Sequence, residues 1–211
     1  MKLKKIALLT FLSAVVLTTG VFADSPLTST KFSDAYMDEP IVMTADKAKG
    51  VLNNELMAYL ASEYNPVDVK MAVINRIGWK ISGRTNAKLF MEYLKTNHGY
   101  KNETRFYKKG RADELLSMAY LKAMDNYFEV DDAIRYAERA LKKNKSKSRT
   151  FMLVAGLIKA QKAMDGNWCE VYQITNRVRV NQMLMNDMRT KAVGIIYKYM
   201  DIYGDECEKS K

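Results

Sequence analysis

The chain has 211 residues, with 34 Lys and Arg against 24 Asp and Glu, a formal net charge of +10, one His and two Cys. A chain of this length can bury an adequate hydrophobic core as one domain, without a metal or a disulfide framework. The single histidine excludes a zinc site with three imidazole ligands, and two cysteines are too few for a cystine-knot miniprotein.

Residues 1–23 combine a lysine-bearing start, an apolar stretch, and small or aliphatic residues at Val21 and Ala23 before Asp24. This pattern is typical of a secretory signal peptide, and the apolar stretch is too short to be a convincing membrane span. We therefore expect cleavage near Ala23 and a periplasmic or secreted protein, which excludes a cytosolic enzyme. No later window approaches about 18 uninterrupted apolar residues, so we expect no membrane span and no membrane channel.

The expected mature chain divides into three parts. Residues 24–52 hold two of the three prolines and lack sustained periodicity, so we predict an extended leader with at most a short helical turn near Phe32. Residues 53–204 are predicted to form the helical domain, and residues 205–211 a C-terminal tail.

Eight segments of the helical domain have apolar residues at three-four spacing, the pattern of an amphipathic helix. The predicted helices are 53–63, 65–77, 86–96, 112–127, 131–144, 148–165, 168–178 and 187–203. No stretch alternates convincingly with a period of two, so we predict an all-α protein. Short links between helices favour antiparallel hairpins stacked as a short α-solenoid.

Residues at the helix ends support these boundaries. Asn65 (followed by Pro66 at the first helical position), Asp131 and Ser148 are expected to cap the N-termini of three helices. Gly166 is expected to end the sixth helix in a left-handed conformation, and Gly204 to stop the eighth.

Two segments resemble known helical repeats. Residues 131–144, DDAIRYAERALKKN, resemble the second helix of a tetratricopeptide repeat through Ala133, Ala140 and Leu141, where small residues allow a close helix crossing. Residues 65–78, NPVDVKMAVINRIG, are similar to the second helix of a HEAT repeat. This α-solenoid resemblance implies a binding scaffold, since such folds rarely carry chemistry.

The sequence offers little material for catalysis. His98, the sole imidazole, lies in a predicted turn, where we interpret it as a solvated loop residue. No His-Glu-x-x-His stretch, Gly-x-Ser-x-Gly elbow, phosphate-cradling loop or dinucleotide fingerprint occurs. We therefore assign no catalytic residue, metal or cofactor. A pair of carboxylates cannot be recognised from sequence alone, so an envelope hydrolase or accessory enzyme stays the alternative.

Three methionines in six residues raise the possibility of a Cu(I) site. Met183, Met185 and Met188 carry thioethers, which are soft ligands. The alternative is that these side chains pack the turn between the last two helices, because methionine is a flexible core filler. The sequence favours packing.

Cations concentrate in two links that an up-down helical array places on the same edge. We call this set the basic edge and expect it to be the partner-binding surface; its members are Lys101, Arg105, Tyr107, Lys108, Lys109, Arg111, Lys142, Lys143, Lys145, Lys147 and Arg149. The aromatic residues Phe106 and Tyr107 either form part of that surface or fold back onto the third predicted helix as a packed loop. The opposite edge is predicted to collect acids, among them Asp131, Asp132 and Asp201.

We expect the basic edge to attract an acidic partner, either a protein or an anionic polymer of the bacterial cell envelope. Charge alone also suggests nucleic acid, but secretion counts against it. The alternative is a solvated rim with no ligand.

Cys169 and Cys207 are predicted to form a disulfide. Cysteines that enter an oxidising compartment more often pair than stay free. Cys169 begins the seventh predicted helix and Cys207 follows the eighth, and an antiparallel hairpin brings those two ends together.

Overall fold

The structure, a computed structural model, describes residues 24–78 and 84–209, so the signal peptide predicted over residues 1–23 lies outside the described residues. The described part is all-α, with two short 3₁₀ helices and no sheet. Its helices are α1 (Pro40–Lys47), α2 (Asn54–Ala61), α3 (Val67–Gly78), α4 (Asn86–His98), α5 (Glu103–Lys109), α6 (Ala112–Asp125), α7 (Asp131–Lys143), α8 (Arg149–Ala163), α9 (Trp168–Val180), α10 (Thr190–Met200) and α11 (Glu206–Lys209).

The predicted all-α class is confirmed, and each of the eight predicted helices matches an observed one: α2 to α4 and α6 to α10. The additional elements are short. α5 lies within the segment predicted to be a basic loop, and α11 lies in the predicted tail. Helices of seven and four residues are too short to produce a convincing three-four pattern.

The short helical turn expected near Phe32 is present, but the rest of the predicted leader is not an extended segment. Phe32–Tyr36 form a 3₁₀ helix and Pro40 begins α1, with its fixed φ suited to a first helical position. Leu27, Phe32 and Tyr36 are completely buried in the core. These buried residues have no regular spacing, because most of the segment is not a long helix or a strand. Hydrophobic periodicity therefore did not predict their burial.

The N-terminal segment links α3 to the residues just before α10. The amide of Asn75 in α3 accepts from the Ser33 backbone N–H at 3.0 Å and donates to the Tyr120 hydroxyl of α6 at 2.8 Å. At the other end, Arg189 beside α10 donates to the Ala35 carbonyl at 3.0 Å and pairs with Asp38. Segments about 150 residues apart are thus packed together.

The predicted helix ends are partly confirmed. The Ser148 hydroxyl accepts from the Phe151 N–H and caps α8, as expected. Asp131 is instead the first residue of α7, which follows Val130. Gly166 is not left-handed; among the described residues Gly99 (φ 69°) ends α4 in that conformation. Asp187 precedes α10 and accepts from the Thr150 N–H at 3.0 Å, so it links two segments.

The predicted disulfide is present. Cys169 in the first turn of α9 and Cys207 in α11 are bonded, with their Cα atoms 4.6 Å apart. The bond ties the segment after α10 to the start of α9.

Candidate functional site

The basic edge is the candidate site, and its centre is the contact between the C-terminal ends of α5 and α7. The Arg139 guanidinium of α7 donates to the Lys108 carbonyl at 3.1 Å, and the Lys143 ammonium donates to the Gly110 carbonyl at 2.7 Å. Carbonyls at the end of a helix lack partners within the helix and attract cations. Two side chains of α7 therefore cap α5, which holds the cations of both helices together.

We call Lys108, Lys109, Arg139, Lys142 and Lys143 the basic cluster. Lys108, Lys109 and Lys142 are exposed, and Arg139 and Lys143 are partly buried. None of the five makes an ion pair with another residue in the described part of the chain. Burial, together with the nearby charges of Arg139 and Lys109, lowers the pKa of Lys143. The cluster therefore contains cations that repel one another.

The remaining members of the basic edge differ in their surroundings. Lys145 and Lys147 are exposed in the turn between α7 and α8, and Lys101 and Arg105 are exposed near the start of α5. Arg149 is partly buried in the first turn of α8.

The aromatic residues of the predicted loop are packed. Phe106 is completely buried, and the Tyr107 ring lies edge-on to Tyr136 of α7 with 5.1 Å between centroids. The guanidinium groups of Arg135 and Arg139 lie 5.2 and 5.9 Å from the centre of the Tyr107 ring. Tyr107 therefore packs against α7 and not against the third predicted helix. Its ring contacts two arginines and is not free to bind a ligand.

Arg111 belongs to a second group of charges, which we call the interior charge network: Lys70, His98, Arg111, Asp113 and Glu114. Arg111 pairs with Asp113 at 3.0 Å and with Glu114 at 2.9 Å, and it donates to the Ala61 carbonyl at 2.6 Å. Its guanidinium is thus occupied within the fold, unlike the exposed lysines of the basic edge.

His98 is exposed, as expected, but it does not lie in a loop and its ring has a partner. His98 is the last residue of α4, and its Nδ1 atom lies 2.8 Å from the carboxylate of Glu114, which is completely buried. The Tyr100 hydroxyl donates to the other oxygen of that carboxylate at 2.8 Å. Sequence reasoning missed this pair because the partner lies 16 residues away on α6.

Lys70 and Asp113 form the most buried ion pair of the network. The Lys70 ammonium is completely buried and lies 2.6 Å from the Asp113 carboxylate. Burial lowers the pKa of Lys70. Burial alone would raise the pKa of Asp113, but hydrogen bonds and charge from Arg111 and Lys70 outweigh it and lower that pKa. The network holds α3, α4 and α6 together.

The acids of the predicted opposite edge are mostly paired. Asp131 lies 3.4 Å from Lys162 of α8, and Asp132 lies 2.7 Å from Lys122 of α6. Asp201 pairs with Arg179. Pairing lowers the net charge of the acidic edge, whereas the basic cluster keeps its charge.

The described part of the chain contains several surface cavities, of which a groove and a cleft bear on function. A groove of about 620 Å³ runs along α8 between α7 and α9, with Ile134, Ala155 and Ile174 in its apolar lining. A smaller cleft of about 330 Å³ between α4 and α6 is lined by three acids, Glu92, Glu103 and Asp125, together with several cations.

The three methionines proposed as alternative copper ligands face different environments. Met183 and Met185 are exposed, and Met188 is buried in the core. Met188 therefore fits the packing interpretation, and the other two are surface residues.

Comparisons of the chain with protein-family models, curated proteins and solved structures give no match. The described residues therefore define an all-α protein that carries the basic cluster on its surface. Within the described residues, every helix is too short or too polar to cross a membrane.

Proposed function

We propose that the protein is a secreted, non-enzymatic binding protein of the bacterial cell envelope, and that its basic edge recognises an acidic protein or polymer. One observation carries the proposal: the side chains of Arg139 and Lys143 are fixed on the end of α5, so that several cations lie close together and none of them is ion-paired within the described residues. An anionic partner would relieve this repulsion, and cations that are already positioned lose little conformational freedom on binding.

The helical architecture supports the scaffold part of the proposal. The ion pairs Asp131–Lys162 and Glu138–Lys159 join α7 and α8, as expected for antiparallel neighbours. In a stack of antiparallel helices, links at the same end of the hairpins come close together, which would bring the cations of two links onto one surface. The resemblance to tetratricopeptide and HEAT repeats stays a prediction.

The test is charge reversal on the basic edge. Changing Lys108, Lys109, Lys145 and Lys147 to Glu should abolish retention of polyglutamate and of acidic components from an envelope extract. Changing four other exposed lysines, Lys47, Lys88, Lys191 and Lys198, to Glu alters the net charge equally and is the matched control.

Salt provides an independent readout. Attraction between exposed charges is screened beyond about 10 Å at 0.1 M salt, so binding of the unaltered protein should weaken steeply as salt rises. Binding that is insensitive to salt and survives the four reversals would contradict the proposal. It would indicate that the partner binds at another surface, such as the groove along α8.

A hydrolase is the second candidate, and one observation favours it. In the cleft between α4 and α6, burial raises the pKa of Asp125. Burial alone would also raise the pKa of Glu103, but hydrogen bonds from Lys122 and Tyr136 outweigh it and lower that pKa. Carboxyls with opposite shifts suit an acid and a base.

The hydrolase candidate predicts release of products from purified envelope glycan or peptide. Glu103→Gln should abolish that release, whereas Glu92→Gln in the same cleft should leave it largely unchanged. No product from the unaltered protein contradicts this candidate.

A further inference from the structure

The end of α9 and the loop that joins it to α10 expose three large apolar side chains within six residues. Val180 and Met183 are each 66% exposed, and Met185 is 56% exposed. Leu184, between the two methionines, packs against the core. We call Val180, Met183 and Met185 the apolar tip. An anchored loop that turns large apolar side chains outward creates a small protruding patch, and such patches commonly mark contact surfaces.

Backbone hydrogen bonds fix the tip beside the basic edge. The Met185 N–H donates to the Lys147 carbonyl at 2.7 Å, and the Arg149 N–H donates to the Met185 carbonyl at 3.2 Å. Asp187 reinforces the contact, since its carboxylate accepts from the Thr150 N–H at 3.0 Å. The tip and the turn before α8 therefore form one supported surface.

The cations next to the tip are exposed. Lys145 and Lys147 lie in that turn, and neither makes an ion pair with another residue in the described ranges. The other side chains of the loop, Asn181, Gln182 and Asn186, are neutral, and Asp187 is engaged by Thr150. Hydrogen bonds from Thr150 hold the Asp187 carboxylate, the single acidic group of residues 181–189, against the start of α8.

We propose that this surface docks the protein reversibly onto an anionic lipid membrane. The apolar tip would enter the boundary between headgroups and acyl chains, while Lys145 and Lys147 contact lipid phosphates. A soluble acidic polymer would satisfy the lysines but offers no apolar phase for the tip. The proposal deepens the proposed electrostatic function, on which its charged half rests, and it names the source of the anionic groups.

Neither half of the surface is sufficient alone. Three exposed side chains give only a shallow apolar contact, and two lysines give only a salt-sensitive attraction. Binding should therefore require anionic lipid and the apolar tip together, and it should be reversible.

The experiment is sedimentation with vesicles, using the full mature chain. We expect binding to vesicles of phosphatidylcholine mixed with an equal amount of phosphatidylglycerol, and much weaker binding to phosphatidylcholine alone. Met183→Ser combined with Met185→Ser should lower the partition coefficient about tenfold, because both thioether side chains lose their transfer to the membrane. Lys145→Gln combined with Lys147→Gln should lower it about thirtyfold.

Matched variants control for surface polarity and charge. Met43→Ser with Ile202→Ser removes two exposed apolar side chains elsewhere, and Lys88→Gln with Lys191→Gln removes two exposed lysines elsewhere. Both should bind anionic vesicles as the unaltered protein does. Unchanged circular dichroism and melting temperature will establish that every variant is folded.

Polyglutamate binding distinguishes this proposal from the broader one. The Met183 and Met185 double variant should bind vesicles about tenfold more weakly and keep its polyglutamate binding. Equal binding to neutral and anionic vesicles, or full vesicle binding by that variant, overturns membrane docking. Polyglutamate binding with no vesicle binding also overturns it, while leaving the electrostatic function in place.

Discussion

The interior charge network and the basic cluster use similar residues in opposite ways. In the network, Lys70 and Arg111 each face a carboxylate within 3.0 Å, and Glu114 is completely buried. In the cluster, Lys108 and Lys109 face solvent and other cations. A buried charge must be paired or the fold loses stability, whereas an exposed cation without a partner costs the fold little. Charges in the first region are therefore structural, and those in the second are free to bind.

The largest expected effect comes from removing one partner inside the network. Asp113→Ala leaves the buried Lys70 ammonium without a carboxylate and should lower the free energy of unfolding by about 4 kcal/mol, measured by urea denaturation. A second change, Lys70→Met, should restore part of that loss, because it removes the uncompensated charge. Equal stability of Asp113→Ala and the unaltered protein would end the structural interpretation of the network.

A smaller effect is expected from the covalent tie between α9 and α11. Changing Cys169 and Cys207 to Ser opens a loop with a sequence separation of 38 residues, and should lower the free energy of unfolding by about 3 kcal/mol. Thermal melting with and without reductant measures it. The reduced native protein should melt like the double variant, and thiol titration of the unfolded, unreduced protein should find no free thiol.

The loss of stability at low pH is a further test of the interior charge network. The lowered pKa of Asp113 means that folding favours its ionised form. That stabilisation is fully present above the ordinary carboxyl pKa, and it is lost as pH falls through the lowered value. In Asp113→Asn, stability should fall less on acidification than in the unaltered protein. Parallel acid limbs for the two proteins would show that Asp113 contributes nothing there.

The smallest expected effect on stability belongs to the basic edge. Reversing Lys108, Lys109, Lys145 and Lys147 should change the free energy of unfolding by less than about 1 kcal/mol, because exposed charges away from a packed contact matter little to folding. The same four changes should abolish polyanion binding. If the fourfold variant is much less stable than the unaltered protein, these lysines contribute to folding as the interior charge network does.

Sequence reasoning predicted the regular features and missed the tertiary ones. Three-four periodicity located eight helices, and the Ser148 cap and the disulfide were both confirmed. These features depend on local spacing or on the ends of a hairpin. The pairing of His98 with Glu114 depends on how α4 packs beside α6, and no local pattern encodes it.

The basic edge was predicted only as a set of charges. Its members were visible in the sequence, but the capping of α5 by Arg139 and Lys143 was not, because α5 itself was interpreted as a loop. The same mistake made Tyr107 look like an open ring, although Arg135 and Arg139 lie over it. The sequence shows which residues of the basic edge are present and what charge they carry. It does not show which of these side chains already contact other groups of the protein.

The buried N-terminal segment bears on the order in which the chain can fold. Leu27 and Tyr36 are synthesised early, yet their hydrogen-bond partners Gln161 and Arg189 are synthesised more than a hundred residues later. Contacts of such long range are slow to form, since a large loop must close first. The core therefore stays incomplete until nearly the whole chain is available. Under the proposed secretion, this delay would keep the chain unfolded until it has crossed the membrane, because premature closure in the cytoplasm would block its export.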